Sequence, residues 1–351
     1  MRLNGVKAGF RALTMWHPYG RAFSNPRWWR RLLQAAIVWR PSSGAHLSSE
    51  PPTLVVTCDL ELDPPWGLGS WNERGLRGIR EGLPRFLDLL DAHGVRGTFF
   101  VEGILARLAP DAVFEVARRG HEVGCHGLAH ESYGGAYPID KTIPYPRILE
   151  GRTGKATALR QAKELLENLV GVSVSSFRAP FLHIDSSGAD AAADAGFLID
   201  SSLENRLFGF LSVPLHLDPG NPLASSRNKE RCPHPLIEIP VSVDPRPRLR
   251  SYHPYGVVGP RSQTHAVLER IIMAHAVVGV VPVLVVLTHP WEFVEGFESP
   301  FGRFYGTVRL RWFEQLIEQA TLFRFATIGS WGLAWEQSRC SWHADGQRVE
   351  G

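Results

Sequence analysis

The chain has 351 residues, 44% of them hydrophobic, which is enough for a single large α/β core. A formal charge of +3 is too small to demand nucleic acid as a partner. Four scattered cysteines (58, 125, 232 and 340) form no Cys-x-x-Cys pair, which argues against a zinc ribbon or a disulfide framework and makes a reducing compartment the default.

Residues 1–50 carry eight Lys/Arg and one acid, about +7, whereas the other 301 carry 30 bases and 34 acids, about −4. The stretch Arg27–Arg40 holds three of the leader's four tryptophans and could form a short basic helix. Trp and Arg side chains suit a headgroup layer, so residues 27–40 are expected to touch an anionic membrane peripherally. Residues 1–25 show no apolar stretch of signal-peptide type, and no run reaches the ~20 apolar residues of a spanning helix. The expected location is therefore cytoplasmic. Pro41–Pro52 is rich in Ser and Pro and reads as a linker. Residues 1–52 are thus a leader and linker, and 53–340 the folded domain, with irregular insertions at 203–260.

From residue 53 strands and helices alternate. Thr53–Cys58 is a β-branched strand. Ile79, Leu83, Phe86, Leu87 and Leu90 have helical spacing over 79–92, ended by Gly94. Strand Arg96–Val101, a helix within 111–119 and strand His121–Cys125 follow. Next come helix 155–169, strand Val174–Arg178, helix 188–195 and strand Phe197–Asp200. The remainder reads as strand Leu236–Val241, helix 263–278, strand Val283–Thr288, helix 308–321 and a last strand Phe325–Ile328. This alternation predicts a mostly parallel sheet, and about seven such units fit a closed barrel better than an open sheet.

In a parallel barrel, chemistry collects at the carboxyl ends of the strands. Asp59 and Glu61 end the first strand, and His126 and His130 follow the third. Arg178, Asp200 and His289 end later ones. On a helix, His126 and His130 at i and i+4 would present both rings on one face. Two imidazoles and one carboxylate can hold a divalent metal while leaving positions open for water and substrate.

Several segments together resemble the polysaccharide deacetylase (NodB-like, carbohydrate esterase) family over about residues 53–335. They are Thr57-Cys-Asp59-Leu-Glu61, Gly97-Thr-Phe-Phe-Val101, Gly120-His-Glu-Val-Gly124 leading into His126-x-x-x-His130, Phe177-Arg-Ala-Pro-Phe181, Asp200-Ser-Ser, Glu238-Ile-Pro240 and Leu287-Thr-His-Pro290. The resemblance implies a distorted parallel (β/α)7-type barrel and a hydrolase of linear amides that acts on an N-acylated amino sugar. It implies a divalent metal, zinc first and cobalt, nickel or manganese as alternatives, held by Glu61, His126 and His130. It makes Asp59 the general base, Arg178 the group that orients it, and His289 the acid that protonates the departing amine. The Phe181 N–H becomes an oxyanion donor. Pro180, Leu287 and Trp291 border the acyl pocket, and Asp200 orients a partner.

Alternatives stay open. The family often carries paired aspartates where this chain has Asp-Leu-Glu, so Asp63 could replace Glu61 as ligand. Gly78-Ile-Arg-Glu-Gly-Leu-Pro84 resembles a segment of deformylases of lipid-linked aminoarabinose, so the bond could be a formamide. Trp66, Trp71, Tyr252, His253 and Tyr255 could line a sugar site. A catalytically silent carbohydrate-binding protein is the third reading. No partner protein and no nucleic acid is expected.

Overall fold

The structure is a computed structural model and describes residues 50–64, 75–134, 149, 151–205, 214–218, 221–225, 236–243, 257–278, 281–297 and 304–346. The leader, including residues 27–40, lies outside the described residues, as do Trp66, Trp71, Tyr252, His253 and Tyr255. Among the described residues no helix is long and apolar enough to cross a membrane.

Among the described residues ten strands form one sheet: β1 (Thr53–Leu60), β2 (Thr98–Val101), β3 (Glu122–Cys125), β4 (Ser176–Phe177), β5 (Ile199–Asp200), β6 (Leu215–Asp218), β7 (Asn221–Ser225), β8 (Leu236–Glu238), β9 (Val283–Thr288) and β10 (Arg324–Phe325). Seven of them run parallel in the order β9-β1-β2-β3-β4-β5-β8, and β10 lies beside the start of β1. Among those residues the ring closes at one point. Ser242 N–H donates to Val285 O (2.9 Å), and Val285 N–H donates to Ser242 Oγ (3.1 Å). The fold is therefore a distorted parallel α/β barrel whose β8–β9 seam is much thinner than its ladders.

Period-two alternation separates two apolar compartments. Val55 faces the barrel interior with Phe100, Ile199, Ile237, Val283, Val285 and Leu287. Leu54, Val56, Cys58 and Leu60 face the helical layer outside. Every residue of β1 is buried for that reason, and the same parity turns Thr57, Asp59 and then Glu61 inward. A one-residue slip of β1 would exchange the two sets and remove the acids from the mouth.

The outer layer comprises α1 (Leu83–Ala92), α2 (Leu105–Leu108), α3 (Pro110–Arg118), α4 (Gly151–Val170), α5 (Ser186–Asp194), α6 (Arg261–Val278) and α7 (Thr307–Gln319). Helix α1 buries Leu83, Phe86, Leu87 and Leu90, spaced for one face. Phe86 stacks on Phe293 at 4.4 Å and meets Phe313 edge-on at 5.2 Å, contacts worth roughly 0.5–1.5 kcal/mol each beyond area burial.

Two expectations are corrected. The stretch expected to be irregular contains the β6–β7 hairpin, and β6 pairs antiparallel with β8 (His216 opposite Ile237). The expected strand Phe325–Ile328 is only β10, because Ile328 begins α8 (Ile328–Gly346). This last helix closes the amino end of the barrel. Ile328 N–H donates to Thr98 Oγ1 (2.9 Å) and Gly329 N–H to Glu122 Oε2 (2.8 Å), a carboxylate placed against the positive end of a helix.

Candidate active site

The opposite, carboxyl end of the barrel gathers the polar residues. Glu61 lies just past β1. Its Oε2 is 3.1 Å from His126 Nε2 and 2.5 Å from His130 Nε2. All three side chains are buried, and their ligand atoms lie within 4.8 Å of one another. The Arg178 carbonyl accepts from His126 Nδ1 at 2.9 Å. A carbonyl can only accept, so Nδ1 carries the proton and Nε2 is the nitrogen that faces Glu61. Two imidazole nitrogens and one carboxylate oxygen in so tight a set suit a cation bonded at roughly 2.0–2.2 Å, and these residues could hold a divalent metal.

The two histidines do not reach this position on a helix. His126 leaves β3, residues 127–129 turn, and His130 sits at φ 64° after Gly127 at φ 76°. Left-handed backbone, strained for a non-glycine residue, brings the rings to 5.5 Å. The edge of the Phe181 ring packs against His130 at 4.5 Å, and Phe181 is itself left-handed at φ 60° in the one-turn helix Pro180–Leu182. Pro180 is buried beneath that turn.

Asp59 lies beside the trio, its Oδ2 3.8 Å from His126 Nε2. Its other oxygen receives Arg178 Nη1 at 2.7 Å. That guanidinium is fully buried, donates also to Thr57 Oγ1 (2.8 Å), Ser201 O and Ser201 Oγ (both 2.9 Å), and lies over the Phe100 ring. A buried charge so fully bonded is a fixed strut. On the far side, His289 Nε2 is 4.0 Å from Glu61 Oε1, and the His289 ring stacks on Trp291 at 4.4 Å. Leu287 faces the interior just below.

The electrostatics follow from these contacts. Burial alone would raise the Glu61 carboxyl, but the His130 charge and hydrogen bonds from both histidines hold it well below the usual carboxylate range. Burial opposes charge on His126, yet Asp59 and Glu61 raise it. His289 is also raised against burial, mainly by its bond to Glu292.

Residues 74–199 match the family model for polysaccharide deacetylases. Over that stretch the chain is similar to polysaccharide deacetylases. It is 27% identical over 164 residues to the peptidoglycan deacetylase of Helicobacter pylori, covering 44% of this chain and 51% of that protein. Over 129 residues it is 27% identical to the chitin deacetylase of Colletotrichum lindemuthianum, covering 35% and 46%. The chain thus spans about half the length of the curated relatives it matches. A solved structure from Mycobacterium smegmatis assigned to the polysaccharide deacetylases superimposes with a TM-score of 0.52 at 22% identity, covering 88% of this chain and 94% of that one, a likeness of fold. The stretch matched by the deacetylase model holds His126, His130, Arg178 and Phe181. Asp59, Glu61 and His289 fall outside it and join them through the barrel.

Two of the acidic side chains singled out in the sequence lie away from the Glu61–His126–His130 trio. Asp63 does not join the trio: its oxygens accept Arg77 N–H (2.6 Å) and Gly78 N–H (2.8 Å). Asp200 does not face the mouth. Its neighbours Ile199 and Ser201 point inward, so Asp200 points out, where it stands opposite Glu238 in register and accepts from Ser202 Oγ. Ser202 Oγ in turn receives Ala179 N–H at 2.8 Å. Asp200 therefore braces the Arg178–Pro180 turn from behind.

Sequence reading also missed Glu292 and Arg309. Glu292 is buried and accepts His289 Nδ1 (2.9 Å), His289 N–H (3.1 Å), Thr288 Oγ1 (2.8 Å) and Arg309 Nε (2.6 Å). Its signal was present: His289-Pro-Trp-Glu292 places Pro first and Glu third in a helical turn, the pattern of a reciprocal N-terminal cap.

Proposed function

We propose that this protein is a metal-dependent hydrolase that removes an N-acetyl group from an amino sugar in a glycan, a glycolipid precursor or a glycosylated metabolite. The observation that carries the reading is the convergence of Glu61, His126 and His130 between an Asp59–Arg178 pair and a His289–Glu292 pair at one barrel mouth. A bound divalent cation, zinc by preference for this N,N,O set, would polarise the amide carbonyl and acidify water.

The protein groups divide the remaining work. Asp59, aimed by Arg178, takes the proton of the attacking water. His289, held by Glu292 through Nδ1, presents Nε2–H to the amine as the C–N bond breaks. Base and acid on opposite sides are each worth ~10²–10⁴-fold. The left-handed Phe181 turn offers its N–H to the developing oxyanion. Leu287 and Trp291 bound a small acyl pocket.

The test is acetate release from penta-N-acetylchitopentaose, abolished by chelator and restored by zinc or cobalt. Turnover that persists in Glu61→Ala/His126→Ala would reject the reading. Formate released from an N-formylated amino sugar, with acetamides left intact, would move the protein to the deformylases. Tight glycan binding with no turnover would make it a binding protein.

A further inference from the structure

The segment Gly78-Ile-Arg-Glu-Gly-Leu-Pro84 has no place in the chemistry above. It forms a π-turn over Gly78–Gly82 that runs into α1, and such turns concentrate at functional positions. Gly82 has φ −83° and ψ −44°, a conformation open to every residue. Alanine there should favour the helix by about 1 kcal/mol, so the glycine answers a need for close approach.

That approach is to the turn that carries His289. A Cβ on Gly82 would stand 1.9 Å from Pro290 O and 2.9 Å from Pro290 C; one on Gly78 would stand 2.8 Å from Trp291 N. The two glycines, four residues apart, press the π-turn against the backbone of Pro290 and Trp291. The side chains that flank the segment bind the carbonyls just beyond. Arg85 Nη1 donates to Phe293 O (2.5 Å) and Arg77 Nη2 to Glu295 O (3.0 Å). Asp63 fixes the start of the π-turn by accepting from Arg77 and Gly78. Arg80 and Glu81, the polar residues between the glycines, are exposed.

We propose that Gly78 and Gly82 are positioning residues for the general acid, and that the turn they bound is the seat of His289 rather than a surface for the sugar. The inference rests on the role of His289 proposed above. Glu292 and Arg309 fix the imidazole from one side; the π-turn fixes the height of its backbone from the other. Trp291, stacked under the His289 ring, transmits any displacement directly to the ring.

The test uses the full chain and two probes. Penta-N-acetylchitopentaose has an amine leaving group that needs a proton, whereas 4-nitrophenyl acetate releases a phenolate that does not. Gly82→Ala should lower kcat on the amide about 10²-fold, the cost of roughly 1 Å of misplacement, with KM little changed. It should alter ester hydrolysis by less than about threefold, because only the amide needs the acid. Zinc affinity should be unchanged, while the His289 ring-nitrogen signals shift in 15N spectra and those of His126 and His130 do not. Should Gly82→Ala fold poorly, Asp63→Asn loses one of the two N–H bonds at nearly constant shape and should move the amide-to-ester ratio the same way, by about tenfold. Arg80→Ala should change nothing. An unchanged ratio and unchanged His289 signals in Gly82→Ala would overturn the proposal, as would a raised KM for the sugar in Arg80→Ala. Failure of the wild type on both probes would reject the hydrolase reading instead, and the His289 spectra would still decide the seat.

Discussion

The two histidine walls of the mouth are built by opposite means. The His126–His130 wall is held by its own backbone, a five-residue turn forced through left-handed conformations at Gly127 and His130. The His289 wall has ordinary backbone and is held from outside, by Glu292, Arg309 and the glycine-flanked π-turn. On the proposed function, a site that fixes three atoms around a cation benefits from a short strained turn with few adjustable parts. On the same reading, a group that gains and loses a proton benefits from side-chain partners that set its charge.

Each wall can be broken separately. The largest effect should come from His130→Ala, which removes one of the three proposed ligand atoms: acetate release should fall by at least ~10³-fold and zinc affinity should collapse in a competition assay. Glu292→Gln should leave zinc affinity intact and lower kcat on amides by roughly 10²-fold. Its pH dependence is specific. Glu292 raises His289 above its ordinary value of 6.5, so the protonated acid persists as pH rises. Without that charge the alkaline limb of kcat should move to lower pH, and a limb that stays in place would assign the acid to another group.

Gly127→Ala tests the backbone-built wall. At φ 76°, with its new Cβ 3.1 Å from the Tyr133 ring, it should cost about 1–2 kcal/mol of stability in denaturant titration. Zinc affinity should fall about tenfold as the ligand turn loosens, with the amide-to-ester ratio unchanged. Glu238→Gln is the smallest change and lies on neither wall. Asp200 and Glu238 are buried face to face, and burial pushes Asp200 up to about 6 and Glu238 well above its ordinary range. Raised folded-state values mean that the pair's contribution to stability is full in acid and is lost as pH climbs through them. The wild-type Tm should therefore decline as pH rises from the ordinary carboxylate range through about 6 and beyond. The amide introduced by Glu238→Gln donates permanently to Asp200 and should flatten that decline by a few degrees without altering turnover.

Much of this was legible in the residues. The β-branched run of β1 set its parity, and parity placed Asp59 and Glu61 inside. The alternation of strands and helices described the barrel. What escaped depended on short elements. The spacing of His126 and His130 suggested a helix, but Gly127 directly after the first histidine favours a turn, and the turn achieves the same convergence. β5 has two residues, too few for a periodicity to show that Asp200 points outward. The β6–β7 hairpin flanks a Pro219-Gly220 pair, a turn signal inside a stretch otherwise lacking strand character. Glu238 and Glu292 were each quoted or passed over within motifs, because the partners that give them meaning lie on other elements.

The Ser242–Val285 contact makes the barrel a ring with one weak link. Long ladders on β1 open only with the whole domain, whereas two bonds at a single pair of residues can part in a local fluctuation. In native-state hydrogen exchange, the Ser242 and Val285 amides should lose protection well before the amides that join β1 to β9, and denaturant should uncouple the hairpin side from the remaining strands at that suture.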